Sequence, residues 1–165
     1  MMLKFLLGIA MVAFTAFCGY LLAKKYRQRK LFFLQLKEFN ERFLNEISYY
    51  RRPIAEFVSG YAYQGEFQTL LALFFEKIKE RSATEKIFLS DDEFSFLSRD
   101  EKRLVEDYFQ MLGKGDSSSQ KGYFSSVKDS LSKLQSATEA DCQKYGDLYV
   151  KIGFLCGLLI LILML

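Results

Sequence analysis

The residues able to do chemistry in this chain are few, and their spacing suits no common reaction. Histidine is absent from the 165 residues, which removes imidazole general bases and the Ser/His/Asp triad. Cys18, Cys142 and Cys156 are an odd set with two members inside apolar segments, so neither a disulfide framework nor a zinc site is expected. Asp91, Asp92 and Glu93 form an acidic cluster, but their spacing matches no calcium loop, and carboxylates at a helix start stabilise its dipole. Gly113, Gly115, Asp116 and the three serines that follow have the outline of a phosphate loop without its Gly-Lys-Ser/Thr ending. A small membrane hydrolase with a Ser/Lys dyad is the enzymatic alternative, with no nucleophile-turn signature in its favour. The expectation is a non-enzyme with no catalytic residue, cofactor, metal or small-molecule substrate.

The elements that must carry such a chain are set by two apolar segments at its ends. Residues 5–23 are 19 uncharged residues, about 28 Å as a helix against a hydrocarbon core of roughly 30 Å. Residues 152–165 are 14 residues and reach only about 21 Å. To span, that segment must recruit Tyr149 and Val150, let Lys151 snorkel, or thin the bilayer. A cleaved signal peptide would have a shorter apolar stretch and lack the basic run behind it, so residues 1–23 read as an uncleaved anchor. Three parts follow: a transmembrane helix at 1–23, a helical bundle at 24–150 and a second transmembrane helix at 151–165.

Charge orients this arrangement. Lys24, Lys25, Arg27, Arg29 and Lys30 follow the first span, and Lys144 and Lys151 precede the second. Cytoplasmic flanks are enriched in such cations, so the part between the spans is expected in the cytoplasm. Residues 24–52 carry nine Lys/Arg against three Asp/Glu, whereas 53–150 carry twelve against seventeen. The basic part adjoins the membrane, where membrane lipids are the natural partners and each cation near anionic headgroups contributes about 1 kcal/mol. No nucleic-acid motif accompanies it, so no nucleic acid is expected.

The middle of the chain has one proline in its 127 residues and apolar positions spaced by three and four, which predicts an all-α fold. Phe32, Leu36, Phe39, Phe43, Ile47 and Tyr50 form one stripe continuous with the first span. Pro53 suits the first turn of a short new helix, limited by Gly60 and Gly65. A third helix follows from Phe67 and ends in Lys77, Lys79 and Arg81, and residues 82–89 read as a loop. Ser90 with Glu93 and Ser98 with Glu101 have capping-box spacing, predicting a short helix and then a longer one stopped at Gly113. The last helix starts near Asp116 or Ser117, with no clear break before the C-terminus. Seventeen Phe and ten Tyr are expected to fill the core of the bundle.

Gly153 and Gly157 form a GxxxG in the second span, and Thr15 and Gly19 a small-xxx-small pair in the first. Such spacing lets helices approach closely in lipid, whether the two spans pair with each other or with another membrane protein.

Four blocks in order resemble one family. The segment LGKGDSSSQ at 112–120 is similar to the L-G-x-x-D-x-x-x-Q segment of stage III sporulation protein AB, a membrane protein of endospore-forming bacteria. Residues 19–29 (GYLLAKKYRQR), 46–56 (EISYYRRPIAE, against E-I-x-Y-x-x-x-P) and 153–164 (against G-x-L-x-G-L-L-I) extend the resemblance over nearly the whole chain. The departures are Lys30 where the family has a proline and Ile54 where it has a leucine.

The resemblance implies a mother-cell component of the sporulation channel apparatus, in the membrane around the forespore. It further implies a helical domain similar to modules of the type II secretion F protein. By that likeness the domain would dock the stage III sporulation AA ATPase and meet other sporulation channel proteins. A platform subunit of a type II secretion or pilus-like system is the alternative within the binding class, although such platforms usually carry two helical modules. Gly113, Asp116 and Gln120 match the family's signature turn: Gly113 to end one helix, Asp116 to cap the next, Gln120 to close the cap.

Overall fold

A computed structural model describes residues 2–50, 53–79, 89–90, 92–112 and 117–164. Among them there is no strand. Helix α1 runs over Met2–Asn45 and continues as a π-helical turn at Glu46–Tyr50. Helix α2 is Ile54–Ser59, α3 Gly65–Lys79, α4 Arg99–Met111 and α5 Ser117–Asp141. A second π turn at Cys142–Gly146 leads into α6, Asp147–Met164. The chain divides into two compact units. One takes the residues up to Lys30 and from Ser136 onward, the other Leu31 to Gln135.

In the second unit the helical stripe of α1 is core. Phe32, Leu36 and Phe39 are buried, with Phe43 beside them, and Ile47 packs against the cluster. Phe33, which lies off that stripe, is buried as well. α2 and α3 add Phe57, Phe67, Leu70 and Phe74, α4 adds Val105, Tyr108 and Phe109, and α5 adds Phe124 and Leu131. Phe39 stands at the centre, with ring centroids of Phe57, Phe67 and Phe109 at 5.4, 5.8 and 6.0 Å. The first two are edge to face, and such pairs contribute roughly 0.5–1.5 kcal/mol each beyond buried area.

The local signals that end and begin these helices are visible in the backbone. Pro53 occupies the N-cap position of α2, and the Gly60 N–H donates to the Glu56 and Phe57 carbonyls to close it. Gly65 opens α3 at φ 61°, a left-handed conformation that a side chain would penalise. Ser98 caps α4 in a full capping box: its Oγ accepts from the Glu101 N–H at 3.3 Å, and its own N–H donates to Glu101 Oε2 at 2.8 Å.

The Ser90–Glu93 pair behaves differently from its expectation. Ser90 Oγ accepts from the Glu93 N–H at 3.3 Å, but residues 92–96 form a turn, not a helix. The reason is packing. Phe94, Phe96 and Leu97 are all buried within four residues, which no single face of a short helix allows, and Ser98 must then be extended to cap α4.

Polar groups stitch this aromatic core. The Asn40 side-chain amide donates to the Phe124 carbonyl at 3.2 Å, and its Oδ1 accepts from the Tyr108 hydroxyl at 3.1 Å, tying α1, α4 and α5 together. Gln35 pairs twice with the Gln64 backbone, donating to its carbonyl at 3.1 Å and accepting from its N–H at 2.8 Å. Among the described residues no buried side-chain nitrogen or oxygen lacks a partner.

Burial pushes the Tyr108 phenol well above its ordinary value of 10.0. Above about pH 10 unfolded tyrosines lose their protons while folded Tyr108 keeps its own, so the unfolded state binds fewer protons and stability falls as pH rises. We expect Tyr108→Phe to lower stability at neutral pH by about 1–3 kcal/mol, because Asn40 Oδ1 loses its donor, and to flatten the alkaline loss. Thermal unfolding at about pH 8 and about pH 11 measures both effects.

Candidate functional site

The first unit is a pair of helices, and its contacts begin with small residues. A Cβ placed on Gly153 would lie 2.6 Å from the Thr15 carbonyl oxygen and 3.3 Å from the Gly19 Cα. One on Gly157 would meet the Val12 Cα at 2.8 Å and Thr15 Oγ1 at 2.5 Å. Gly19 faces the Tyr149 carbonyl and Gly8 faces Leu161 just as closely. The positions on one helix are 8, 12, 15 and 19, and on the other 149, 153, 157 and 161, so both seams follow the helical repeat. The Thr15 hydroxyl, the polar group in this seam, donates within its own helix to the Met11 and Val12 carbonyls, both at 3.0 Å.

Both helices are long and apolar enough to cross a membrane. Only 17% of the most apolar stretch of the first and 11% of the second is buried inside the protein, unlike the core helix of a globular domain. Phe14, Phe17, Leu155, Leu159 and Ile162 are among the side chains left facing outward.

At the polar end of the pair the seam becomes aromatic and then ionic. The Tyr26 ring lies 5.5 Å from that of Tyr145 and 5.7 Å from that of Tyr149. Arg27 sits 3.8 Å from Asp147, Arg29 donates to Asp141 at 2.8 Å, and Lys30 lies 3.0 Å from Glu139. As the first member advances the second recedes, the register of an antiparallel hairpin. Glu139 raises the Lys30 ammonium above its ordinary pKa through their hydrogen bond. Solvent reaches and screens all three pairs, so this ladder sets register more than stability.

Three of the five flanking cations thus face carboxylates of the opposite helix, while Lys24 and Lys25 are exposed. The sequence reading missed Glu139, Asp141, Asp147, Tyr26 and Tyr145, and took Tyr149 only as an extension of the second span. Their signal is acidic residues just before the second span, at the level where an antiparallel partner carries its basic run. Gly113 and Asp116 of the signature turn lie outside the described residues. Gln120 is half-buried in the first turn of α5.

The second unit offers recesses on its surface. One, of about 430 Å³, lies between α4 and α5 and is lined by Asp100, Arg103, Leu104, Asp107, Tyr123 and Val127, among others. Asp100, Arg103, Leu104 and Asp107 share one face of α4, and Tyr123 and Val127 one face of α5. Burial, with a smaller contribution from Asp107, raises the Tyr123 phenol above its ordinary value. The recess places carboxylates beside half-buried apolar side chains.

Set against known proteins, residues 4–165 match the family model described as stage III sporulation protein AB. No curated protein and no solved structure matches the chain.

Proposed function

Because the chain belongs to the stage III sporulation protein AB family, we propose that it is a non-enzymatic membrane scaffold of the sporulation channel apparatus between mother cell and forespore. The family places the chain in stage III of sporulation. The helical unit lies on the cytoplasmic side of the mother-cell membrane, docks the stage III sporulation AA ATPase, and meets other channel components through the membrane helices. The carrying observation is that α1 is one helix from Met2 to Asn45: its apolar half pairs with α6, and its second half supplies Phe32, Phe33, Leu36, Phe39 and Phe43 to the aromatic core. A chain built this way holds a folded surface at a membrane. The orientation follows from Lys24, Lys25, Arg27, Arg29 and Lys30 at the exit of the first helix. The acidic balance of residues 53–150 offers the surface to a basic partner. The test is recruitment: vesicles carrying the full chain bring the purified ATPase with them when floated, and empty vesicles do not.

A further inference from the structure

Nearly all the described aromatic side chains of the helical unit are buried or half-buried. Among the described residues of that unit, two are exposed, Tyr49 at 79% and Tyr61 at 41%. Both line one recess of about 460 Å³, together with Arg42, Asn45 and Glu46. The residues at 42, 45, 46 and 49 share one face at the end of α1, and three of these four positions lie at or beside its π turn. Such turns recur at functional sites because they re-aim side chains that an α-helix would place elsewhere. Tyrosine and arginine are also the residue types most enriched where protein contacts concentrate their energy.

The recess already shows what it can hold. The Arg42 guanidinium carbon stands 4.6 Å from the Tyr61 ring centroid and 5.6 Å from that of Tyr63. One guanidinium nitrogen donates to the Tyr63 hydroxyl at 3.4 Å, and the other lies 3.7 Å from Glu38. Tyr49 presents a ring with most of its surface open. The final carbonyls of a helix have no intrahelical partner, and the negative end of its dipole favours a cation. Arg51 and Arg52 follow Tyr50 in sequence, so net charge does not choose the occupant. The ring faces do, since a planar, weakly hydrated guanidinium stacks on tyrosine better than an ammonium does.

We propose that this recess is a protein-contact site that takes an arginine-bearing segment of a partner, its guanidinium stacked on Tyr49 and hydrogen-bonded to Asn45 Oδ1. The identity of the partner as the ATPase rests on the docking reading above; the contact site itself does not.

The test uses the full chain in nanodiscs, with Tyr49→Ala and Tyr49→Phe compared for ATPase affinity and, in sporulating cells, for spore yield. Removing the ring should weaken binding by about tenfold or more, whereas Phe, which keeps it, should stay within about threefold of the unchanged chain. Thermal unfolding of both variants should match the unchanged chain, because the side chain is mostly exposed. Unaltered binding by Tyr49→Ala overturns the site and leaves the docking reading standing, and so does Phe binding as weakly as Ala. If the unchanged chain does not bind the ATPase, the docking reading fails and spore yield decides: a loss of about tenfold in Ala with a normal yield in Phe supports a contact with another partner. A normal yield in Ala overturns the site.

Discussion

Phe39→Ala is expected to remove about 3–5 kcal/mol of stability, a large share of the roughly 5–15 kcal/mol that holds a small domain together. Phe39 is fully buried, and its ring meets Phe43, Phe57, Tyr63, Phe67, Tyr108 and Phe109. Those neighbours sit on four helices and on the loop between α2 and α3, so no one of them can collapse into the space without leaving its own partners. At about 4 °C per kcal/mol, the Tm of the full chain should fall by roughly 12–20 °C. Phe39→Leu keeps most of the volume and should cost only about 1–2 kcal/mol. Near-ultraviolet circular dichroism of the tyrosine signal in detergent reads the transition. A fall of less than about 4 °C for Ala would mean that the core is not centred on this ring.

Gly153→Leu should open the membrane hairpin. At this position the obstacles are backbone atoms, the Thr15 carbonyl and the Gly19 Cα, which cannot swing aside as a flexible side chain would. In lipid, close backbone packing is itself a main source of helix association, so the loss is not refunded by burial elsewhere. Spin labels at Leu7→Cys and Ile162→Cys, both outward-facing, report the separation in a background lacking the three native cysteines. The distance distribution should be narrow for the parent chain, and Gly153→Leu should lengthen it by about 2–4 Å or broaden it, since ordinary helix pairs sit about 8–10 Å apart. Gly122→Ala is the control: a Cβ there meets nothing within 4 Å, so the distribution should not change. An unchanged distribution in Gly153→Leu would mean that the seam does not hold the two helices.

Much of this architecture is legible in the sequence, and the parts that are not have physical reasons. The stripe from Phe32 to Phe43 is readable because an amphipathic helix repeats every three to four residues. Phe33 escapes that reading because adjacent helical residues point about 100° apart, and only the packed unit shows that α1 is buried on a second side. Ser98 with Glu101 and Ser90 with Glu93 have the same spacing, yet one makes a capping box and the other a turn, decided by Phe94, Phe96 and Leu97 entering the core. The π turns leave no mark, since one inserted residue keeps the apolar spacing within three to four. The second interrupts the α-geometry of the last helix without ending it, where the sequence suggests no break at all, whereas the first follows directly on α1 at Glu46–Tyr50.

The candidate sites divide in the same way. Small residues at a spacing of four announce the seam, but its register against the other helix fixes which cations meet which carboxylates, and that comes from tertiary structure. Tyr49 stands inside a block that the family resemblance marks, and composition alone gives no hint that it is exposed while nearly all the other described rings of the helical unit are buried or half-buried. Pairings distant in sequence, such as Gln35 with the Gln64 backbone, are equally silent in the sequence.

The central claim is that this chain holds an ATPase at a membrane, and vesicle flotation addresses it directly. The full chain is reconstituted into vesicles of neutral lipid, so that anionic headgroups attract nothing by themselves, and the purified stage III sporulation AA ATPase is added over a range of salt concentrations. The account predicts that the ATPase floats with vesicles containing the chain in proportion to the chain present, that it does not float with empty vesicles, and that rising salt weakens the association. ATPase left in the soluble fraction at low salt, with the chain shown folded and outward-facing, would contradict it.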